Sequence, residues 1–309
     1  MMSDFVQQQH SVCEFATSES WVILSPIEQS IKRKIEAVGT PLKDWDIQIN
    51  YGIKTGFNDA FIISTEKREE ILANCQTEDE RQRTAELIRP ILRGRDIKRY
   101  GYDWANLFLI ATFPSRHYDI EEYPALKDYL LSFGIERLEQ TGKKHIVNGE
   151  EIRARKKTNN KWFETQDSIS YWEDFSKPKI IWKRIGSILR FSYDNRGSLG
   201  LDSTCFATGS HIPYLCCVLN SIMGHYLLKD SPKTGTGDLL VSVQAIEPAK
   251  VPYLKEKEEE LDYLLNQQVQ NYTNETEREI NHTIFSMYGF SSAEINYITE
   301  YVTQSQQSQ

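Results

Sequence analysis

The sequence predicts an α+β fold: a mixed, largely antiparallel sheet or sheets with packed helices, followed by a C-terminal helical segment. Three observations carry this. Short apolar stretches, alternating at Trp45, Ile47 and Ile49 and continuous at Asn106–Phe113, are interleaved with stretches of helical period. Adjacent strand-like runs are separated by short turns, which favours antiparallel pairing. Residues 255–309 read as helix throughout, up to a Gln/Ser-rich end.

In chain order, residues 1–20 are polar and patternless and are expected to form a loose arm. Ser25 is an N-cap with Pro26 at the first helical position and Glu28 three residues on; the helix carries Ile27, Ile31, Ile35 and Val38 on one face and ends at Gly39. Trp45–Asn50 and Phe57–Ser64 read as two strands of a hairpin around Gly52-Ile53-Lys54-Thr55-Gly56. Glu66–Asn74 is a short helix, Leu87–Leu92 an apolar stretch around Pro90, and Pro124 starts a helix that Gly134 ends. Gly142–Asn160 reads as one long basic loop. Lys179–Ile185 and Ser187–Tyr193 are paired strands, Ile212–Leu228 is a buried helix, and Gly235–Val243 leads into a last strand. In the tail, Leu261, Leu264, Leu265 and Val269 form one stripe and Ile280, Ile284, Phe285 and Tyr288 another; Ser291 and Glu294 make a capping box for a third helix.

The chain has 309 residues and a net charge of −8. It contains no run of about 20 apolar residues and no signal peptide, so a cytoplasmic protein without a membrane span is expected. Five cysteines without a CxxC pair predict buried thiols rather than disulfides or zinc. The charge is uneven. Residues 255–309 hold three basic and ten acidic residues, net −7, which leaves −1 on residues 1–254. Within that body Arg81–Arg99 and Lys143–Lys161 each hold seven basic residues against two acids.

Several chemistries lack their motifs. The Walker loop G-x-x-x-x-G-K-[ST] and the dinucleotide GxGxxG are absent, and so is the [DNS]-P-P-[YFW] segment of an amino-methylating DNA methyltransferase. Asp96-Ile97-Lys98 has the D-x-K spacing of a metal-dependent nuclease, but its basic neighbours suit phosphate better than a metal ion. The six histidines are scattered. The two basic segments read either as solvated loops or as nucleic-acid contacts. Local single-sign charge with nearby Tyr100, Tyr102, Trp104, Trp162 and Phe163 supports the second reading.

Two long segments carry a family resemblance. Trp45–Ile63, with Gly52-Ile53-Lys54-Thr55-Gly56-Phe57-Asn58-Asp59-Ala60-Phe61 at its centre, and Leu87–Tyr100, with Leu92-Arg93-Gly94-Arg95-Asp96-Ile97-Lys98-Arg99-Tyr100, resemble signature segments of the TaqI-like C-terminal specificity domain. Lys177–Trp182, Leu219-Asn220-Ser221 and Ile284–Ile295 are similar to further segments of that family. These are the target-recognition domains of type IIG restriction-modification enzymes and adenine-specific DNA methyltransferases. The resemblance implies sequence-specific recognition of duplex DNA, with a methyltransferase/endonuclease subunit or region as partner. It implies no catalytic residue in this chain, and S-adenosylmethionine and Mg²⁺ only for that catalytic partner.

The expected division is an arm at 1–20, a recognition domain at 21–254 and an acidic helical spacer or docking tail at 255–309. Candidate DNA contacts are Lys54, Thr55 and Asn58 at the Gly-rich turn, then Arg93, Arg95, Lys98 and Arg99. Lys143, Lys144, Arg153, Arg155, Lys156, Lys157 and Lys161 come from the basic connection, and Lys183 with Arg184 from a strand end. The alternatives are a protein–protein scaffold docking through the acidic helices, or an autonomous Mg²⁺ nuclease built on Asp96 and Lys98.

Overall fold

The computed structural model describes residues 24–307; the arm expected at residues 1–20 lies outside them. The architecture is α+β, with two four-stranded sheets, mostly antiparallel, and a helical C-terminal segment.

The first sheet has Phe191–Asp194, Lys179–Lys183, Thr204–Gly209 and Ile47–Tyr51 in that order, all antiparallel. It is buried on both faces. Ile180, Trp182, Cys205 and Ala207 enter one core with Phe191, while Ile181 and Phe206, pointing the other way by the two-residue period, enter a second. This explains why Ile180-Ile181-Trp182 reads as a continuous apolar run. The second sheet orders Leu199–Gly200, Ile88–Leu92, Leu107–Ile110 and Ile62–Ser64, with the first pair parallel. Gly52 and Ile53 stitch the sheets together. Gly52 N donates to Thr204 O, and Ile53 exchanges hydrogen bonds with Gly200 and Asp202. A Cβ on Gly52 would fall 1.9 Å from Leu201 O, so only glycine fits this crossing.

A buried ion pair locks the sheet edge. Lys179 Nζ lies 2.5 Å from Asp194 Oδ2 and also donates to Phe175 O. Asp194 accepts from Tyr102 Oη and the Ser198 amide, so its lone pairs are satisfied.

The helices Glu258–Gln270, Asn274–Tyr288 and Ser292–Gln307 pack their apolar stripes (Leu261, Leu264, Ile280, Ile284, Ile298) into the core that holds Trp182 and Phe191. Both predicted capping boxes form. Ser25 and Glu28 bond reciprocally, as do Ser291 and Glu294. Glu294 also accepts from Ser30 and Lys34, which ties the last helix to the Pro26–Val38 helix. No described helix is long and apolar enough to cross a membrane. Cys205, Cys216 and Cys217 are buried thiols.

Four local expectations are corrected. Trp45–Asn50 and Phe57–Ser64 do not form a hairpin: Ile47–Tyr51 pairs with Thr204–Gly209, Asn58–Phe61 is a helical turn, and Ile62–Ser64 pairs with Leu107–Leu109. The Gly142–Asn160 connection is no open loop, because Lys144–Val147 and Glu150–Arg153 pair as a β-hairpin. Ile212–Leu228 is two helices, Ile212–Asn220 and Ile222–Leu227, broken where Ser221 caps the second. The last strand shrinks to Leu239–Leu240, followed by the helical turn Val243–Ile246.

Candidate nucleic-acid interface

The Gly-rich turn between the sheets is rigid and leaves one side chain free. Gly56 has φ of +79°, which reverses the chain. Thr55 is buried; its hydroxyl donates to Asn58 Oδ1 at 2.6 Å and accepts from the Phe57 amide. Lys54 O accepts from the Gln166 and Asp167 amides, and Lys54 N donates to Asp167 Oδ2. With its backbone pinned, Lys54 projects its ammonium into solvent.

Two open clefts meet at this lysine. One, about 650 Å³, is lined by Tyr51, Lys54, Asn160, Gln166, Asp167, Arg184 and Asp202. The other, about 640 Å³, is lined by Lys54, Arg137, Arg153, Lys156, Lys157 and Gln166. Lys54 and Gln166 belong to both, so the clefts form one groove. Besides the buried Arg155, it is lined by six cations, against the carboxylates of Asp167 and Asp202. Lys54, Arg153, Lys156 and Lys157 make no ion pair among the described residues. The Arg184 Nε is buried without a partner, and the Arg137 guanidinium lies 4.6 Å from the Phe57 ring centre. Burial raises the Asp167 pKa, against the Lys54 amide and the Lys54 and Lys156 charges, which pull it down.

Arg95 and Lys183 are both exposed and come from neighbouring backbone at the Arg184 end. The Lys183 stem sits against Gly94, where an added Cβ would be 3.0 Å from its Cγ. Ser203 links the two segments, accepting from Gly94 N on its hydroxyl and from Arg184 N on its carbonyl.

The other predicted residues fall elsewhere. Arg155 is 4 % exposed, although Arg153, Lys156 and Lys157 around it are exposed. Its Nε donates to Leu138 O, its Nη1 to Thr55 O and Glu164 O, and its Nη2 to Trp162 O. Four of its five donors are thus consumed, and burial lowers its pKa to about 10. Arg155 is a bolt under the groove instead of a contact in it, and buried Thr55 is a turn residue. Arg93 is bidentate to Asp96, Nη2–Oδ1 2.7 Å and Nε–Oδ2 3.0 Å, and so holds its own turn. That pairing also occupies both oxygens of the carboxylate that the nuclease reading requires. Arg99 pairs with Glu277 and donates to Asn220 O, in a separate cleft beside the Asn274–Tyr288 helix. Lys98 lies 3.4 Å from Asp103, Lys144 2.8 Å from Glu151, and Lys161 over the Phe163 ring. Asn58 and Lys143 are exposed.

Sequence reasoning missed Arg137, Asp167 and Asp202 as groove residues. No local signal marks them, because three distant segments bring them together. It also missed the hairpin, whose signal is Asn148-Gly149. Both residues have positive φ, +51° and +84°, as a type I′ turn requires.

Comparison with known proteins places this architecture. Residues 89–240 match the model of the TaqI-like C-terminal specificity domain. The fold is similar to that of the type IIL restriction-modification enzyme MmeI, solved in complex with DNA, with a TM-score of 0.55 and 13% identity over 87% of this chain and 36% of that one. A weaker similarity, TM-score 0.40 and 12% identity, covers 85% of this chain and 32% of the type IIG restriction endonuclease BpuSI. The chain thus spans about a third of the length of these solved structures. No curated protein matches it. Over residues 89–240 the chain is thus similar to the TaqI-like C-terminal specificity domain.

Proposed function

We propose that this chain recognises a short sequence in duplex DNA for a restriction-modification enzyme, and that the DNA lies along the groove centred on Lys54. The observation that carries the reading is the groove itself: besides the buried Arg155, six cations from four separated segments line it, and none of the six makes an ion pair among the described residues. Side chains held apart from internal acids suit an external polyanion. Lys54, Arg153, Lys156 and Lys157 neutralise phosphates, while Arg184 and Gln166, which carry donors at the groove floor, reach towards base edges.

By the family resemblance, the target base is an adenine, and a catalytic region outside these residues methylates it at N6 or cleaves the DNA. S-adenosylmethionine and Mg²⁺ belong to that region. The groove residues supply binding energy that offsets the few kcal/mol needed to extrude the base. The acidic faces of the helices after residue 257 repel phosphate and are the side on which the catalytic region docks.

The test is binding of a labelled duplex by the 309-residue chain from about 50 to 200 mM salt. A steep linear fall of log K with log salt is expected. A flat response with binding weaker than micromolar would remove the reading.

A further inference from the structure

The Lys144–Arg153 hairpin is a ribbon rooted in the groove and free at its tip. Its ladder continues past the strands, with Ala154 N donating to Lys143 O and Gly142 N to Arg155 O. Arg155, bolted to four backbone carbonyls, fixes the root. Directly opposed residues of an antiparallel pair share a face, so Lys144 with Arg153 and Ile146 with Glu151 form one face. All four are exposed, and Ile146 is 72% exposed, the most of any large apolar side chain described. Arg153 lines the groove, so this face continues the groove wall outwards.

The order of chemistry along that face is informative. Two cations lie at the root, then an apolar side chain beside a carboxylate nearer the tip. A carboxylate is repelled by phosphate but accepts a hydrogen bond from the N4 amino group of cytosine, and an apolar side chain meets the thymine methyl; both groups lie in the major groove. That groove, about 12 Å wide, admits a two-stranded ribbon.

Resting on the duplex-DNA reading above, we propose that this hairpin enters the major groove, where Glu151 accepts from a cytosine amino group and Ile146 packs on a neighbouring thymine methyl. Lys144, 2.8 Å from Glu151 in the free chain, moves to a phosphate and releases the carboxylate.

The experiment is selection from a random duplex pool by the 309-residue chain, by Glu151→Gln and by Ile146→Ala, each checked for an unchanged thermal transition. For wild type, a motif with a cytosine–guanine pair next to a thymine–adenine pair is expected. Glu151→Gln should lose about tenfold or more of the preference for the first pair and drift towards adenine; Ile146→Ala should relax the second. Salt slopes should be unchanged. If wild type selects a motif that both variants leave intact, or both lose affinity for every duplex alike, the hairpin assignment falls while the groove reading stands. If wild type retains no duplex, the groove reading falls and this inference with it.

Discussion

Arg155 and Thr55, 100 residues apart in the chain, meet through a 2.8 Å hydrogen bond from the guanidinium to the Thr55 carbonyl oxygen. This contact fastens the basic hairpin to the Gly-rich turn and sets Lys156 and Lys157 beside Lys54. It also separates two kinds of arginine that composition alone counts as one: a bolt and a contact.

Arg155→Met should therefore behave as a core lesion. It leaves the carbonyls of Leu138, Thr55 and Trp162 without donors and that of Glu164 with only Gln140, so a loss of about 3–5 kcal/mol is expected. Lys156→Ala and Lys157→Ala, at exposed positions, should stay within about 0.5 kcal/mol of wild type. Urea unfolding of the three variants checks this; equal midpoints would contradict it.

Arg99 offers the complementary case. Its guanidinium joins Glu277 and Asn220 O on the helical side. Arg99→Ala should cost about 1–3 kcal/mol and expose the Asn274–Tyr288 helix to early proteolysis. Duplex affinity of the folded protein should not change. A reduced salt slope in this variant would instead mark Arg99 as a phosphate contact.

Glu294 gives a pH signature. Burial alone would raise its pKa, but hydrogen bonds from Lys34, Ser291 and Ser30 outweigh it and bring the group to about 2 from an ordinary 4.5. A depressed folded pKa means stability that is fully present above the unfolded value and lost as pH falls through the folded one. Wild type should thus exceed Glu294→Gln by a constant margin at neutral pH. The margin should shrink below about pH 4.5 and be largely lost by about pH 2. Chemical denaturation at several pH values measures it; a margin at pH 2 as large as that at neutral pH would refute the assignment.

Local chemistry made part of this structure legible in the sequence. Ser25–Glu28 and Ser291–Glu294 carry their own capping signals, and the continuous apolar run Ile180-Ile181-Trp182 marks a strand buried on both faces. Partner choice is different: alternation at Ile47 and Ile49 identifies a strand, while Thr204–Gly209 wins the pairing through packing of distant residues. The Glu78–Leu87 helix escaped notice because its buried side includes Glu80 and Thr84. Glu80 is buried because it accepts from the Gln76 and Ala125 amides. The groove was half legible. Lys54 and the basic segment stood out by charge, but nothing in Arg153-Ala154-Arg155-Lys156-Lys157 says which side chain turns inwards.

The most direct test of the groove is the salt dependence of duplex binding by a Lys54→Ala, Arg153→Ala, Lys156→Ala, Lys157→Ala variant with Arg155 retained. Each phosphate contact contributes about 0.9 to the slope of log K against log salt. The variant should fold as wild type does and lose roughly 3–4 units of slope, with weaker binding to all duplexes. An unchanged slope in the folded variant would place the DNA on another face and contradict the account.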